Sequence, residues 1–189
     1  MVAGHRIKDH VSYGVITATE ILANSSNVGA MKLGQRVGEK NFYKYIERFG
    51  FGRPTSIALP GESGGLLRPP DQWSGISLAS ISMGQEIGVT PVQLVAAFSA
   101  IANDGVLVRP RIVRGLLNGS RYEPVRSPPG RRIISSKTAR DLTRMLAAAV
   151  ESGTGRAASP EGYSAAGKTG TAQKTDSTGK YSKTKYVAS

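Results

Sequence analysis

The sequence predicts an α+β fold, mostly helical and closing on an antiparallel strand pair. Apolar residues recur at helical spacing in several segments between residues 15 and 150. Residues 163–189 read instead as two extended segments joined by the polar turn region "TDSTGK". With 189 residues, no internal repeat and no domain linker, the chain is long enough for one ordinary core.

The elements follow in order. "GVITATEILANSSN" carries Val15, Ala18, Ile21 and Leu22 at helical spacing and stops at its polar cluster. A second helix starts there and runs through Val28, Met31 and Val37. A third carries Phe42, Tyr45, Ile46 and Phe49 and ends at Gly50, a good C-terminal cap. Residues 50–74, rich in Gly and Pro, read as a long surface connection that Trp73 packs against the domain. Thr90-Pro91 supplies a cap and a proline for the first helical position. The helix it opens presents Leu94, Val95, Phe98, Ile101 and Ala102 on one side and ends before Gly105. "VLVRPRIVRGLL" reads as short extended segments broken by Pro110. Ile133-Ile134 is strand-like, a serine caps the next helix, and Leu142, Leu146, Ala149 and Val150 run along it. "ESGTGRAASPEG" is a loop. Glu86, in "GQEIG", is read as stabilising its loop, and Tyr181 and Tyr186 as hairpin surface.

Composition removes several classes of chemistry. Lys and Arg number 25 against 13 Asp and Glu, a formal charge of +12 that favours anionic partners. The basic residues are scattered, with short concentrations at Arg109–Arg114 and Lys174–Lys185, so a solvated surface is preferred and no nucleic-acid role is assigned. With no cysteine, disulfides and thiolate chemistry are excluded. His5 and His10, the only histidines, would not share a helix face, and no metal or other cofactor is expected. A serine enzyme built from this chain would therefore use lysine as its base. No run of about 18 apolar residues is present, and "MVAGHRIKDH" lacks the apolar centre of a signal peptide. That leaves a cytosolic protein or a chain without its natural N-terminus.

"GYSAAGKTGT", residues 162–171, satisfies the phosphate-loop pattern G-x-x-x-x-G-K-[ST] letter for letter. A phosphate loop needs a buried strand before it and a helix after it, so that backbone N–H groups and the helix dipole meet the phosphates. "TGRAASPE" before Gly162 cannot be a buried strand, and the Lys-rich stretch after Thr169 has no amphipathic period. Nor does an apolar run end in an aspartate suited to magnesium. The match is accidental.

The same letters contain K-T-G. An extended edge of small residues lets a substrate backbone lie alongside, and Gly170 keeps the approach clear. Lys168 offers a fixed positive charge to a carboxylate, and Thr169 a hydroxyl. Upstream, Ser25-Ser26-Asn27 has the S-x-N form; taken alone it is a helix cap, but in this order with K-T-G it is informative.

With these motifs in place, the chain resembles the transpeptidase domain of class B penicillin-binding proteins, the kind used in division or elongation of the bacterial wall. The likeness runs through "ANSSNVGAMKLG", "FGFGRPTSIALPGE", "SMGQEIGVTPVQLVAAFSAIANDGVLVRPRIV" and "AAGKTGTAQK". It implies a penicillin-binding-protein fold and D,D-transpeptidation through a serine acyl-enzyme. It further implies that Ser25 relays a proton to the leaving or attacking amine and that Asn27 holds the side amide of the acyl donor. Lys168 would bond Ser25 and the terminal carboxylate, Thr169 would contact that carboxylate, and the N–H of Thr171 would form half of the oxyanion hole. Implied partners are D-Ala-D-Ala stem peptides, β-lactams and other wall-synthesis membrane proteins. The implied location is the extracytoplasmic face of the cytoplasmic membrane, with an anchoring helix absent from this chain.

The nucleophile motif S-x-x-K does not precede Ser25. Ser177-Thr178-Gly179-Lys180 and Ser182-Lys183-Thr184-Lys185 fit its letters but follow K-T-G and read as solvated loop. The expectation is one partial domain over residues 1–189, from S-x-N to K-T-G, with an incomplete sheet whose exposed edge favours aggregation. Such a piece is not acylated alone, and labelled penicillin remaining covalently attached to it would refute that. Other readings are a catalytically silent penicillin-fold module, a β-lactam sensor and a D,D-carboxypeptidase.

Overall fold

The computed structural model describes residues 1–175 and 181–188. The Ser177–Lys180 motif and the centre of the "TDSTGK" turn lie outside the described residues, as does the Tyr181 side chain. Among the described residues there are six α-helices and three two-stranded antiparallel sheets, an α+β architecture with an antiparallel pair at its C-terminal end. The chain divides into two compact units, Met1–Phe42 with Arg68–Ile87 and Asp141–Ser189, and Tyr43–Leu67 with Gly88–Arg140.

In the first unit, helix α1 spans Ala18–Ala23. It starts later than the apolar spacing suggests because Thr17 and Glu20 form a reciprocal capping box: Thr17 N–H donates to Glu20 Oε2 at 2.7 Å and Glu20 N–H to Thr17 Oγ1 at 3.3 Å. Val15 consequently lies outside the helix, fully exposed. Helix α2 spans Asn27–Val37 and α3 Glu39–Arg48, as expected, with Gly50 at φ 91° just past the end.

Helix α4, Ser77–Ser82, is not legible as a helix, since serines at 77, 80 and 82 break the apolar period. Ser77 and Ser80 are nevertheless buried. Ser77 Oγ donates to Glu86 Oε2 at 2.8 Å, so its hydroxyl enters the interior with a partner, and the half-buried Ser82 Oγ donates to the Leu78 carbonyl at 2.6 Å. Helix α4 packs on α2. A Cβ on Gly34 of α2 would overlap Ser82 Oγ, so glycine sets how closely the two helices approach. Glu86 stabilises its loop, at φ 57°, by accepting from Ser77 and from Arg68 Nη2. Trp73 Nε1 donates to the Arg68 carbonyl at 2.8 Å and closes the turn around a short 3-10 helix at Pro70–Gln72.

In the second unit, helix α5 spans Pro91–Ala102, capped by Thr90 with Pro91 at its first position. Its buried face is not the one predicted. Gln93, Ala96, Ala97 and Ala100 are buried, whereas Val95 is 66% and Phe98 37% exposed. The small side chains permit close approach. Gln93 Nε2 reaches the carbonyls of Arg53 (2.9 Å) and Gly64 (2.8 Å), tying the long connection to the helix.

Strand β1 (Val106–Leu107) pairs with β4 (Arg131–Arg132), and β2 (Gly115–Asn118) with β3 (Arg121–Pro124). The strand-like position predicted at Ile133-Ile134 falls two residues early, at Arg131–Arg132. Ile133 follows the strand as a fully buried anchor, its N–H on the Gly105 carbonyl at 2.9 Å. Helix α6 then runs Ser136–Glu151, with Ser135 Oγ accepting from Thr138 N–H at 3.1 Å and Leu146, Ala149 and Val150 buried.

Strands β5 (Thr171–Thr175) and β6 (Tyr181–Ala188) form the C-terminal pair, registered Thr171 to Ala188 and Gln173 to Tyr186. Residues 163–170 are not strand, contrary to expectation, because the ladder begins at Thr171. Ser182–Lys185 is not a loop but part of β6, with Ser182 Oγ accepting from the N–H groups of Thr184 (3.2 Å) and Lys185 (3.1 Å). Tyr186 is exposed on the same strand.

Candidate active site

The site forms where the α1–α2 junction meets the segment leading into β5. The adjacent serines of the junction have opposite environments. Ser26 is buried and caps α2: its Oγ accepts from Gly29 N–H at 2.9 Å and donates to Asp9 Oδ2 at 2.7 Å. Asp9 also accepts from Val28 N–H at 3.0 Å, placing a negative charge at the helix N-terminus. Ser25 is exposed and adopts φ 54°, a left-handed conformation uncommon outside glycine. This turn separates the two hydroxyls, one inward and one outward.

Lys168 comes to Ser25 across 143 residues of chain, and its ammonium donates to Ser25 Oγ. The same ammonium donates to the Thr169 carbonyl at 2.7 Å and lies 3.5 Å from both Thr169 Oγ1 and Thr154 Oγ1. Thr169 Oγ1 donates to Thr154 Oγ1 at 2.9 Å. Gly167 N–H on the Leu146 carbonyl, at 3.2 Å, fixes the approach of this segment to α6. No carboxylate pairs with Lys168 among the described residues, which leaves its charge available to an anion.

Four residues thus form one cluster: Ser25, Lys168, Thr169 and Thr154. Asn27, the first residue of α2, is half-buried with Nδ2 3.4 Å from the Lys8 carbonyl. Gly170 and Thr171 follow directly, Thr171 opening β5 with its side chain exposed. Thr154 and Asp9 were missed from sequence. The signal for Thr154 was a hydroxyl between two glycines in "ESGTG": its N–H meets the Ala23 carbonyl at 3.1 Å, and Gly155 N–H the Ala149 carbonyl at 2.8 Å. Asp9 offered no pattern.

Partial burial lowers the Lys168 pKa below its ordinary value of 10.5, because desolvation disfavours the ammonium. The unfolded chain then binds more protons than the folded one in the window just below 10.5. Stability should rise with pH through that window; the cost is fully present below the folded pKa and gone above the unfolded one. Urea midpoints measured across this range should slope upward for the native chain and less for Lys168→Met. Equal slopes would contradict the assignment.

A sequence profile described as penicillin binding protein transpeptidase domain matches residues 1–189. The chain belongs to this family. Among curated transpeptidase-family relatives, penicillin-binding protein PbpB of Mycolicibacterium smegmatis is 44% identical over 91% of this chain and 28% of its own length. Peptidoglycan D,D-transpeptidase FtsI of Escherichia coli is 35% identical over 99% of this chain and 30% of its own. The chain therefore spans under a third of the length of these relatives. Penicillin-binding protein 3 of Mycobacterium tuberculosis, solved without ligand, superposes with a TM-score of 0.93 at 38% identity, covering 99% of this chain and 44% of that one. Its ampicillin complex superposes at 0.91 and 39% identity, covering 96% and 43%. The predicted fold and family are thereby established. None of the described helices is long and apolar enough to cross a membrane.

Proposed function

We propose that this chain supplies the S-x-N and K-T-G elements of a serine D,D-transpeptidase that cross-links peptidoglycan stem peptides and is acylated by β-lactams. The observation that carries the reading is the Lys168–Ser25 hydrogen bond, which unites two motifs that sequence could only order.

A serine from an S-x-x-K elsewhere in the parent protein attacks the carbonyl of the penultimate D-Ala, giving its proton to the lysine of that motif, which returns it when the serine is released. The bond to the terminal D-Ala nitrogen breaks. That nitrogen needs a proton. Because Lys168 donates to the Ser25 oxygen, the Ser25 hydroxyl proton is free to point at the amine. An acceptor amine then attacks the acyl ester, its proton returns by the same relay, and the serine is released. The unpaired charge of Lys168 and the Thr169 hydroxyl suit the terminal carboxylate. Asn27 holds the side amide of the donor, Gly170 leaves room for its backbone, and the Thr171 N–H faces the developing oxyanion. One such donor is typically worth ~3 kcal/mol and a placed acid or base roughly 10²–10⁴-fold in rate.

The relatives' names support this substrate class, since FtsI is named a peptidoglycan D,D-transpeptidase. The proposal extends to residence on the extracytoplasmic face of the cytoplasmic membrane, beside other wall-synthesis proteins. Incubating the full-length protein with a stem peptide and an acceptor amine should yield a cross-linked product by mass spectrometry. Release of D-Ala with water as the only acceptor would identify a carboxypeptidase instead.

A further inference from the structure

The second unit holds most of the excess charge: 12 Lys and Arg against four Asp and Glu. All four acids are already engaged. Glu47 pairs with Arg53 at 2.7 Å, Asp104 with Arg140 at 3.5 Å and Glu123 with Arg121 at 3.5 Å, while Glu62 accepts from the N–H groups of Thr55 and Ser56. None of the described ion pairs involves Arg109, Arg111, Arg114, Arg126 or Arg131.

These five arginines line a run of adjoining clefts of about 250, 140 and 470 Å³. Arg109 and Pro110 line both the first and the second, and Ile112 and Val113 both the second and the third. Backbone carbonyls already orient three of the guanidinium groups: Arg109 Nε on Ser56 (2.6 Å), Arg111 Nη1 on Val125 (3.2 Å) and Arg131 Nη2 on Arg48 (2.9 Å). Between them the walls are apolar and open to solvent, Ile112 being 58% and Leu117 76% exposed. At the far end, β2 pairs only with β3 among the described residues, so its other edge is open for backbone pairing.

We propose that this groove binds an extended peptide segment of a partner protein in which acidic and apolar residues alternate. Oriented, carboxylate-free guanidinium groups match side-chain carboxylates. The exposed aliphatic walls and Tyr122 match apolar side chains, which a purely anionic polymer would not use. The open strand edge matches an extended backbone. None of these residues belongs to the Ser25–Lys168 cluster, so the groove and the transpeptidase reading stand or fall separately.

The test is fluorescence anisotropy of a labelled decapeptide alternating Glu with Leu and Tyr, titrated with the full chain and with the full-length protein. Saturable binding that weakens with salt is expected, falling at least tenfold in the doubly exposed variant Arg111→Glu/Arg126→Glu and several-fold in Leu117→Ser. The salt series on the unmodified protein reads the same property without a variant. Equal binding of a Lys-for-Glu peptide, or equal competition by inorganic polyphosphate, would overturn the proposal, the latter indicating an anionic-polymer site. Binding to this chain but not to the full-length protein would also overturn it, by showing that the groove is filled within one polypeptide.

Discussion

Ser25→Ala in the full-length protein should lower cross-linking by roughly 10²–10⁴-fold while leaving the fold intact, the size of effect that a placed proton donor supplies. Ser25 is exposed, and its hydroxyl serves Lys168 rather than any helix end, so its loss creates no cavity and no orphaned cap. Lys168→Gln should produce a comparable loss. The two act as one unit, so the double variant should be little worse than either single variant. Ser26→Ala is the internal control. It removes a buried cap that bonds both Gly29 N–H and Asp9, and should cost about 1 kcal/mol of stability with far less effect on rate per folded molecule. If the two serine variants behaved alike, the division of labour between the adjacent hydroxyls would be wrong.

Gly153→Ala should damage stability and activity together. A Cβ at this position would overlap the Ala23 carbonyl oxygen and stand 2.9 Å from that of Ala149. Both are backbone atoms of helix C-terminal turns, so neither can swing aside as a side chain would. A glycine-to-alanine change at an unobstructed site stabilises a protein by about 0.4–1 kcal/mol through the unfolded chain, whereas overpacking costs about 1–3 kcal/mol. Here overpacking wins. The displaced loop carries Thr154 away from Thr169 and Lys168, so penicillin acylation of the full-length variant should slow even at temperatures where it remains folded. A denaturant midpoint equal to or above that of the native protein would refute the packing argument. An unchanged acylation rate would refute the role given to Thr154.

What the sequence disclosed about this molecule depended on how far apart the interacting residues lie. Caps read directly: Thr90-Pro91 opens α5 and Gly50 follows α3, because both are decided within one helical turn. Faces were harder. Large apolar residues suggested the Val95–Phe98 side of α5 as its core face, but the opposite face, with Gln93 and the alanines, is the buried one, since close approach rewards small side chains. Helix α4 was invisible because its serines break the apolar period, and the bond that lets Ser77 be buried comes from Glu86, nine residues away. In the site, motif order pointed to Ser25 and Lys168, yet Thr154 arrives from a loop with no motif, through backbone bonds to the ends of α1 and α6. Asp9 reaches Ser26 from a segment without periodic pattern.

On the proposed mechanism, Ser25 and Lys168 together move the proton that acyl transfer to an amine requires. The most direct measurement is single-turnover transpeptidation by the full-length protein, native and Ser25→Ala, with acyl-enzyme and cross-linked product followed separately by mass spectrometry. The variant should form acyl-enzyme slowly and pass the acyl group to the amine roughly a hundredfold more slowly or worse. Native rates for both steps in Ser25→Ala would contradict the mechanism.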